Sequence, residues 1–510
     1  MKEFFKNNRY LIFIITAGVL ARLWHINWGL PEIYEEATPL TVSWKFWNWG
    51  HPGLNFNPHF FNYPALTFYL NFIAQALSYA VGHMAGSYPS LSSFGTSPAP
   101  LVVTSRMISV LFDAGTIGVA YLLARDVFDE RAGLLAALLA AFNPSHIRNA
   151  HLIQVDTALT FFSLLSVLFI FRICTRPAAK WYILSGIGIG LAAASKYTGA
   201  FLLAVLVAGH LMKSSSIRAA WASILSKELI YSILLACVVF ILFNPYILLD
   251  YSEFQRDFSF EQYHVSYGHL GLLASQSTLG FYLLDVFPSS LGWGLIAVLA
   301  ASTAHFLIRR KKRELFLLIY PAVYIFIVST WEMRAERYVL PVFTSAFVIA
   351  SIGLVRFLDY LKREAHTAKL PVIFRSVTAR SVTVTIIVLL LIAGPLLSSY
   401  EYLNSLGLPD TRMIAKTWIK EHLQPGSAIA TGPYGVEFPD SAYKMLQIPF
   451  LAFQAERVAP FYDARWYEDF DLLIASDYDY SRYMQEPQRY QEFLSYYDSL
   501  RFRWELLTEI

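Results

Sequence analysis

A chain of 510 residues that is 56% hydrophobic and only 15% charged lacks the balance of a soluble protein. Its net charge of +3 includes no long basic tract suited to nucleic acid, and its two cysteines, Cys174 and Cys237, offer neither a disulfide framework nor a zinc spacing. Repeated apolar runs of roughly 15–20 residues predict a polytopic all-α membrane protein.

The first run, "YLIFIITAGVLA", follows a basic N-terminus, as a secretory signal would. Arg22 and the bulky "LWHINW" after it leave no small-residue cleavage site, so the run is expected to stay as an uncleaved first span. Spans are then predicted at about 10–28, 104–124, 132–145, 156–173, 181–195, 197–212, 229–247, 281–308, 315–331, 338–356 and 381–399, about eleven in all.

One more apolar piece, 63–82, decides the topology. If it does not cross, about 22 basic residues, including "RRKKR" at 309–313, fall on one side near the spans and 6 on the other. If it crosses, that run has to be translocated. The expectation is therefore an interfacial helix at 63–82, a cytoplasmic N-terminus and a multi-pass protein of the plasma membrane. The same parity needs two crossings between Lys180 and Lys213, each near 16 residues, with Lys196 at the outer turn.

Three exterior features result. A first loop, about 29–103, carries adjacent acids Glu35 and Glu36; a second, about 248–280, is aromatic and polar; and the tail, 400–510, has soluble composition. Within the tail, "PDTRMIAKTWIKEHLQPGSAIATGP" reads as an amphipathic helix, a Pro-Gly turn and a strand, and "FDLLIAS" as another strand. This predicts a transmembrane domain at 1–399 and an exterior α/β domain at 400–510.

Ionisable groups within or at the ends of spans are costly and default to functional candidates. They include Arg22; Arg106 and Asp113, seven apart on one helical face; His146, Arg148, His151 and Asp156 in the turn "NPSHIRNAHLIQVD"; Lys196; and Arg334, Glu336, Arg337 and Tyr338 in "WEMRAERY". Nearly all fall at the predicted outer surface. Acids with separated cations at that boundary suit a phosphate-bearing lipid donor. The cations hold the phosphate and stabilise it as a leaving group, and a carboxylate takes the proton of an attacking hydroxyl. His146 and His151, five apart, do not have helical metal-pair spacing, and no metal site is predicted.

"YEEATPL", "FNYPALTFYL", "SRMISVLFDAGTIGVAYLLARDVFD", "NPSHIRNAHLIQVDTALTFF", "GIGIGLAAASKYTGAFLL" and "AERYVLPVF" stand in an order and spacing that resemble glycosyltransferase family 39, the protein O-mannosyltransferases and aminoarabinose lipid A transferases. The resemblance covers most of residues 1–355 and, more weakly, 409–436. It implies a GT-C fold and inverting transfer of a sugar from a polyprenyl-phosphate donor to a protein, lipid or glycan hydroxyl. No cofactor is required by that reading, although a divalent metal is possible. By the same resemblance Glu35 takes the place of the family's catalytic Asp, with Glu36 beside it. Asp156 matches an acid near the acceptor or a metal, Lys196 a lysine near the lipid phosphate, and Arg337-Tyr338 the late "RY". Arg106 joins Lys196, Arg337 and Tyr338 as a candidate donor-phosphate ligand. The chain departs from the family in having Glu for Asp at 35, which moves the carboxylate by about 1.5 Å, and Asn62-Tyr63-Pro64 where the family has His-Pro-Pro. Two other readings compete: a transporter or flippase of lipid-linked sugars, and a non-catalytic membrane scaffold.

Overall fold

The computed structural model describes residues 8–31, 37–214, 216–268, 275–366, 377–432, 434–438, 442–449 and 458–510. A helix lies in each of the eleven apolar stretches. In chain order the helices of the first part are α1 (Arg9–Leu23), α2 (Thr38–Lys45), α3 (Leu66–Met84), α4 (Val102–Val127), α5 (Glu130–Ala141), α6 (Pro144–Ala150), α7 (Asp156–Thr175) and α8 (Ala179–Ser195). There follow α9 (Leu202–Met212), α10 (Lys227–Leu242), α11 (Tyr251–Tyr267), α12 (Phe287–Arg309), α13 (Lys312–Val328), α14 (Leu340–His366) and α15 (Val377–Ser405). Four stretches are long and apolar enough to cross a bilayer by length and composition: Ala99–Val127, Asp156–Thr175, Thr278–Arg309 and Glu336–Leu361. The protein is a helical membrane protein.

Local sequence sets the helix starts. Asp129 caps α5 by accepting from the Ala132 amide, and Asn143 caps α6 by accepting from His146, with Pro144 at the first helical position. α8 lies against both α7 and α10 because its glycines let backbones meet. A Cβ on Gly186 would stand 2.5 Å from the Ser232 carbonyl of α10. At Lys196 the chain turns extended (φ −154°, ψ 138°), ending α8, and a 3₁₀ turn, Tyr197–Phe201, leads into α9. Gly199 makes that hairpin possible, since a Cβ there would fall 2.2 Å from the Ala192 backbone.

Contacts sort the loops of the helical unit into two ends. At one end Arg172 pairs with Asp126 (2.9 Å), Arg131 with Asp359 (2.7 Å), and Arg356 with Glu314. At the other, Asn143 Nδ2 donates to Ser290 O (2.8 Å), Ser399 Oγ to Phe142 O (2.9 Å), and the Ala65 amide to Asn244 Oδ1 (2.7 Å). α3 belongs to the second end. Its polar Asn71 and Gln75 are buried, while Ile73, Leu77 and Val81 are exposed at i, i+4, i+8. Gln75 accepts from the Trp47 indole (2.9 Å) and donates to Ser43 (2.6 Å). Within the segment expected to be interfacial, Phe68 points inward and Ile73 and Leu77 outward.

The chain divides into two compact units. One comprises Met1–Ser259, Leu279–Thr330 and Ala335–Leu406; the other comprises Phe260–Thr278, Trp331–Arg334 and Gly407–Ile510. In the second unit α16 (Thr411–His422) precedes a parallel sheet of β1 (Ala428–Thr431), β2 (Lys444–Gln447) and β3 (Leu472–Ile474), in the order β2-β1-β3. Ile429 faces Met445 on one side and Leu472 on the other. Alternation along β1 sends Ile429 into a core with Ile419 of α16, and Ala430 into a tyrosine-rich core with Tyr483 and Tyr496. Those tyrosines come from α17 (Asp477–Met484) and α18 (Gln491–Arg503).

Candidate active site

Asp156 occupies the first turn of α7, where the helix dipole favours a negative charge, and is almost fully buried. The extended residue that ends α8 turns Lys196 towards it, and Lys196 Nζ donates to Asp156 Oδ1 at 2.8 Å. The ammonium also lies 4.2 Å from the centre of the Tyr338 ring and 6.0 Å from that of Tyr63. Arg337 approaches from the 3₁₀ turn Glu336–Val339, its Nε 4.0 Å from Asp156 Oδ2 and its side chain one-third exposed. Four of the candidate residues, Asp156, Lys196, Arg337 and Tyr338, thus meet from three segments far apart in the chain.

The surroundings hold these groups in place. Glu336 takes the Arg148 guanidinium at 2.5 Å and the Ser145 hydroxyl, fixing the turn that presents Arg337 and Tyr338. Tyr324 donates to Thr198 (3.2 Å), and Tyr197 to the Phe61 carbonyl (2.8 Å), tying the long loop before α3 to the residue beside Lys196. Tyr63, Tyr197 and Tyr324 were not singled out as functional. The signal available was "SKYTGA", in which Lys196, Tyr197 and Thr198 are all used.

Arg106 is engaged elsewhere. It is fully buried, donates to the carbonyls of Ile26 (2.7 Å) and Trp28 (3.0 Å), and stacks on Trp28 at 4.3 Å. It clamps the chain as it leaves α1. Asp113 does not meet Arg106. It accepts from Arg22 Nε (2.6 Å) and contacts His146 Nδ1 (2.6 Å). His151 contacts the Ile147 and Trp24 carbonyls, so the two histidines serve separate contacts. Glu35 and Glu36 lie outside the described residues.

Residues 102–248 match the sequence model of the dolichyl-phosphate-mannose-protein mannosyltransferase family. The solved structures with similar folds include ArnT from Cupriavidus metallidurans bound to undecaprenyl phosphate (TM-score 0.54, 16% identity, 94% of this chain and 89% of that one). The apo form of ArnT gives 0.55, with 14% identity and 96% and 95% coverage. The fold is that of the GT-C glycosyltransferases. A second GT-C protein of like fold is the oligosaccharyltransferase AglB from Archaeoglobus fulgidus, in complex with an inhibitory peptide and a dolichol-phosphate (TM-score 0.52, 14% identity). That likeness covers 84% of this chain, which spans 63% of AglB. No curated protein sequence matches the chain. The resemblance to glycosyltransferase family 39 read from the sequence agrees with both the family match and the GT-C fold.

Proposed function

We propose that the protein is a glycosyltransferase that moves a sugar from a polyprenyl-phosphate donor to an acceptor hydroxyl, with inversion, at the outer membrane surface. One observation carries this: Lys196 and Arg337 converge on a single buried carboxylate, Asp156, at the end of the bundle that also bears the first exterior loop. Burial strengthens an ammonium's pull on a phosphate, and a guanidinium adds bidentate contact. Of the three donors on Lys196, Asp156 takes one, leaving capacity for a phosphate oxygen. Glu35 acts as general base on the acceptor hydroxyl, with Glu36 assisting. Asp156 orients Lys196, Tyr338 shields it from water, and Arg106 fixes the segment that leads to the acids. The chain crosses about eleven times with its N-terminus in the cytoplasm, since the end rich in Arg131, Arg172, Arg356 and Lys312 matches the positive-inside side. The α/β unit lies outside.

The test is transfer of radiolabelled sugar from polyprenyl-phosphate donors in purified membranes, wild type against Glu35→Gln. Label reaching protein, lipid or glycan only when Glu35 is intact is the expected result. Donor binding and label crossing the bilayer without covalent transfer would replace the enzyme reading with a transporter. Transfer that survives Glu35→Gln would remove Glu35 as the base.

A further inference from the structure

The first exterior loop meets the start of α11 through a group the proposed reaction does not use. His59 Nδ1 lies 2.7 Å from Glu253 Oε2 and 3.8 Å from Asp250 Oδ2, and one donor atom from each of the three falls within 4.8 Å of the others. Two carboxylates and one imidazole, drawn from segments about 190 residues apart, form the mixed O/N set that suits Zn²⁺ or a similar divalent ion. Ligand atoms bound to one such ion at about 2.0–2.2 Å stand roughly 3–4 Å apart, a spacing that small side-chain adjustments here would reach.

The supporting groups are those that orient metal ligands. Asn57 Nδ2 donates to Asp250 Oδ2 at 2.7 Å. Arg256 Nη2 holds Glu253 Oε1 at 2.9 Å, which leaves Oε2 turned to His59. Arg256 is committed to Glu253 and Asp257. The half-exposed imidazole leaves an entry path from solvent.

We infer that His59, Asp250 and Glu253 form a divalent-cation site that staples the first exterior loop to α11. The staple lies two residues from Phe61, whose amide donates to Asp257 (2.9 Å) and whose carbonyl accepts from Tyr197, the neighbour of Lys196. Its role is to hold the loop in register with the Lys196 hairpin. None of its three ligands belongs to the proposed catalytic group.

The test uses the full-length protein in detergent, stripped with chelator and titrated with Zn²⁺ by calorimetry, so it does not depend on transfer activity. The expected result is one ion per chain, with affinity falling at least tenfold in His59→Ala and in Glu253→Gln. The thermal midpoint of the wild type should rise with Zn²⁺ concentration, as it does for any ligand bound only by the folded state. Glu253→Gln keeps the side-chain volume and serves if His59→Ala fails to give a monodisperse protein. No stoichiometric binding, or binding that both variants leave unchanged, overturns the inference. Wild-type Zn²⁺ binding together with absent sugar transfer would instead count against the enzymatic reading and leave the staple standing.

Discussion

Two buried ion pairs of the bundle are similar in length and differ in how completely they are satisfied. Arg22 and Asp113 meet at 2.6 Å with both side chains fully buried. The Arg22 guanidinium also donates to the carbonyls of Gly18, Ala141 and Ala140, and Asp113 contacts His146 as well. Lys196 and Asp156 meet at 2.8 Å, yet the ammonium has one oxygen acceptor and two aromatic faces, and solvent reaches a little of it. A pair whose cation spends four of its five donors within the protein fixes helices against one another. A pair with donor capacity to spare is suited to receive a ligand.

That contrast can be broken from either side. The largest effect is expected at Arg22. Arg22→Met strands Asp113 without its cation and should cost about 3–5 kcal/mol of stability, read as a lower thermal midpoint and poor monodispersity in detergent. Lys196→Met should leave the midpoint near that of the wild type and lower transfer from a polyprenyl-phosphate donor by about 10²–10³-fold, as losing one preorganised donor does elsewhere. If the two variants exchange phenotypes, reading role from saturation is wrong.

A smaller effect tests a buried carboxyl that has no pair. Asp479, beside the tyrosine-rich core of the α/β unit, forms no ion pair among the described residues, and burial pushes its carboxyl up to about 6. The folded unit then holds a proton that the unfolded chain releases at about 4. Its stabilising contribution is complete below that value, is lost as pH rises through the 4–6 window, and stays lost above it. Asp479→Asn should therefore stabilise the unit by about 1–2 kcal/mol at pH 7.5 and scarcely at pH 4. Amide exchange of residues 428–431 in the full chain at the two pH values measures this, and equal protection in variant and wild type at pH 7.5 would refute it. The smallest effect concerns α3. Leu77→Trp should leave transfer unchanged within about twofold, and brominated lipids should quench the new indole. An unquenched indole would remove α3 from the bilayer surface.

Much of this was legible in the chain. The apolar runs gave a helix at every expected place because run length is a direct response to bilayer thickness. Asp156, Lys196, Arg337 and Tyr338 could be brought together because all fall at ends of apolar runs on one side of the charge count. Other features resisted. Arg106 and Asp113 share a helical face, but seven residues separate them by about 10 Å along the axis, too far to touch, and their partners come from α1, the segment just after it, and α6, whose approach no local spacing reveals. The strand Lys444–Gln447 is mostly exposed and shows no alternation, so only its pairing with β1 defines it. The His59 grouping joins segments that are distant in the chain, each ordinary in isolation.

The inverted dressing of α3, polar edge inward and apolar edge outward, has a mechanical consequence. On the proposed topology, such a helix floats at a height set by its own greasy edge. Ala65, at its start, is tied to Asn244, and Phe61 just before it is tied to Tyr197. The hairpin that carries Lys196 is therefore moored to a buoy. Lipids that thicken or thin the leaflet would then raise or lower that mooring relative to the phosphate plane, making membrane composition a variable of the proposed transfer.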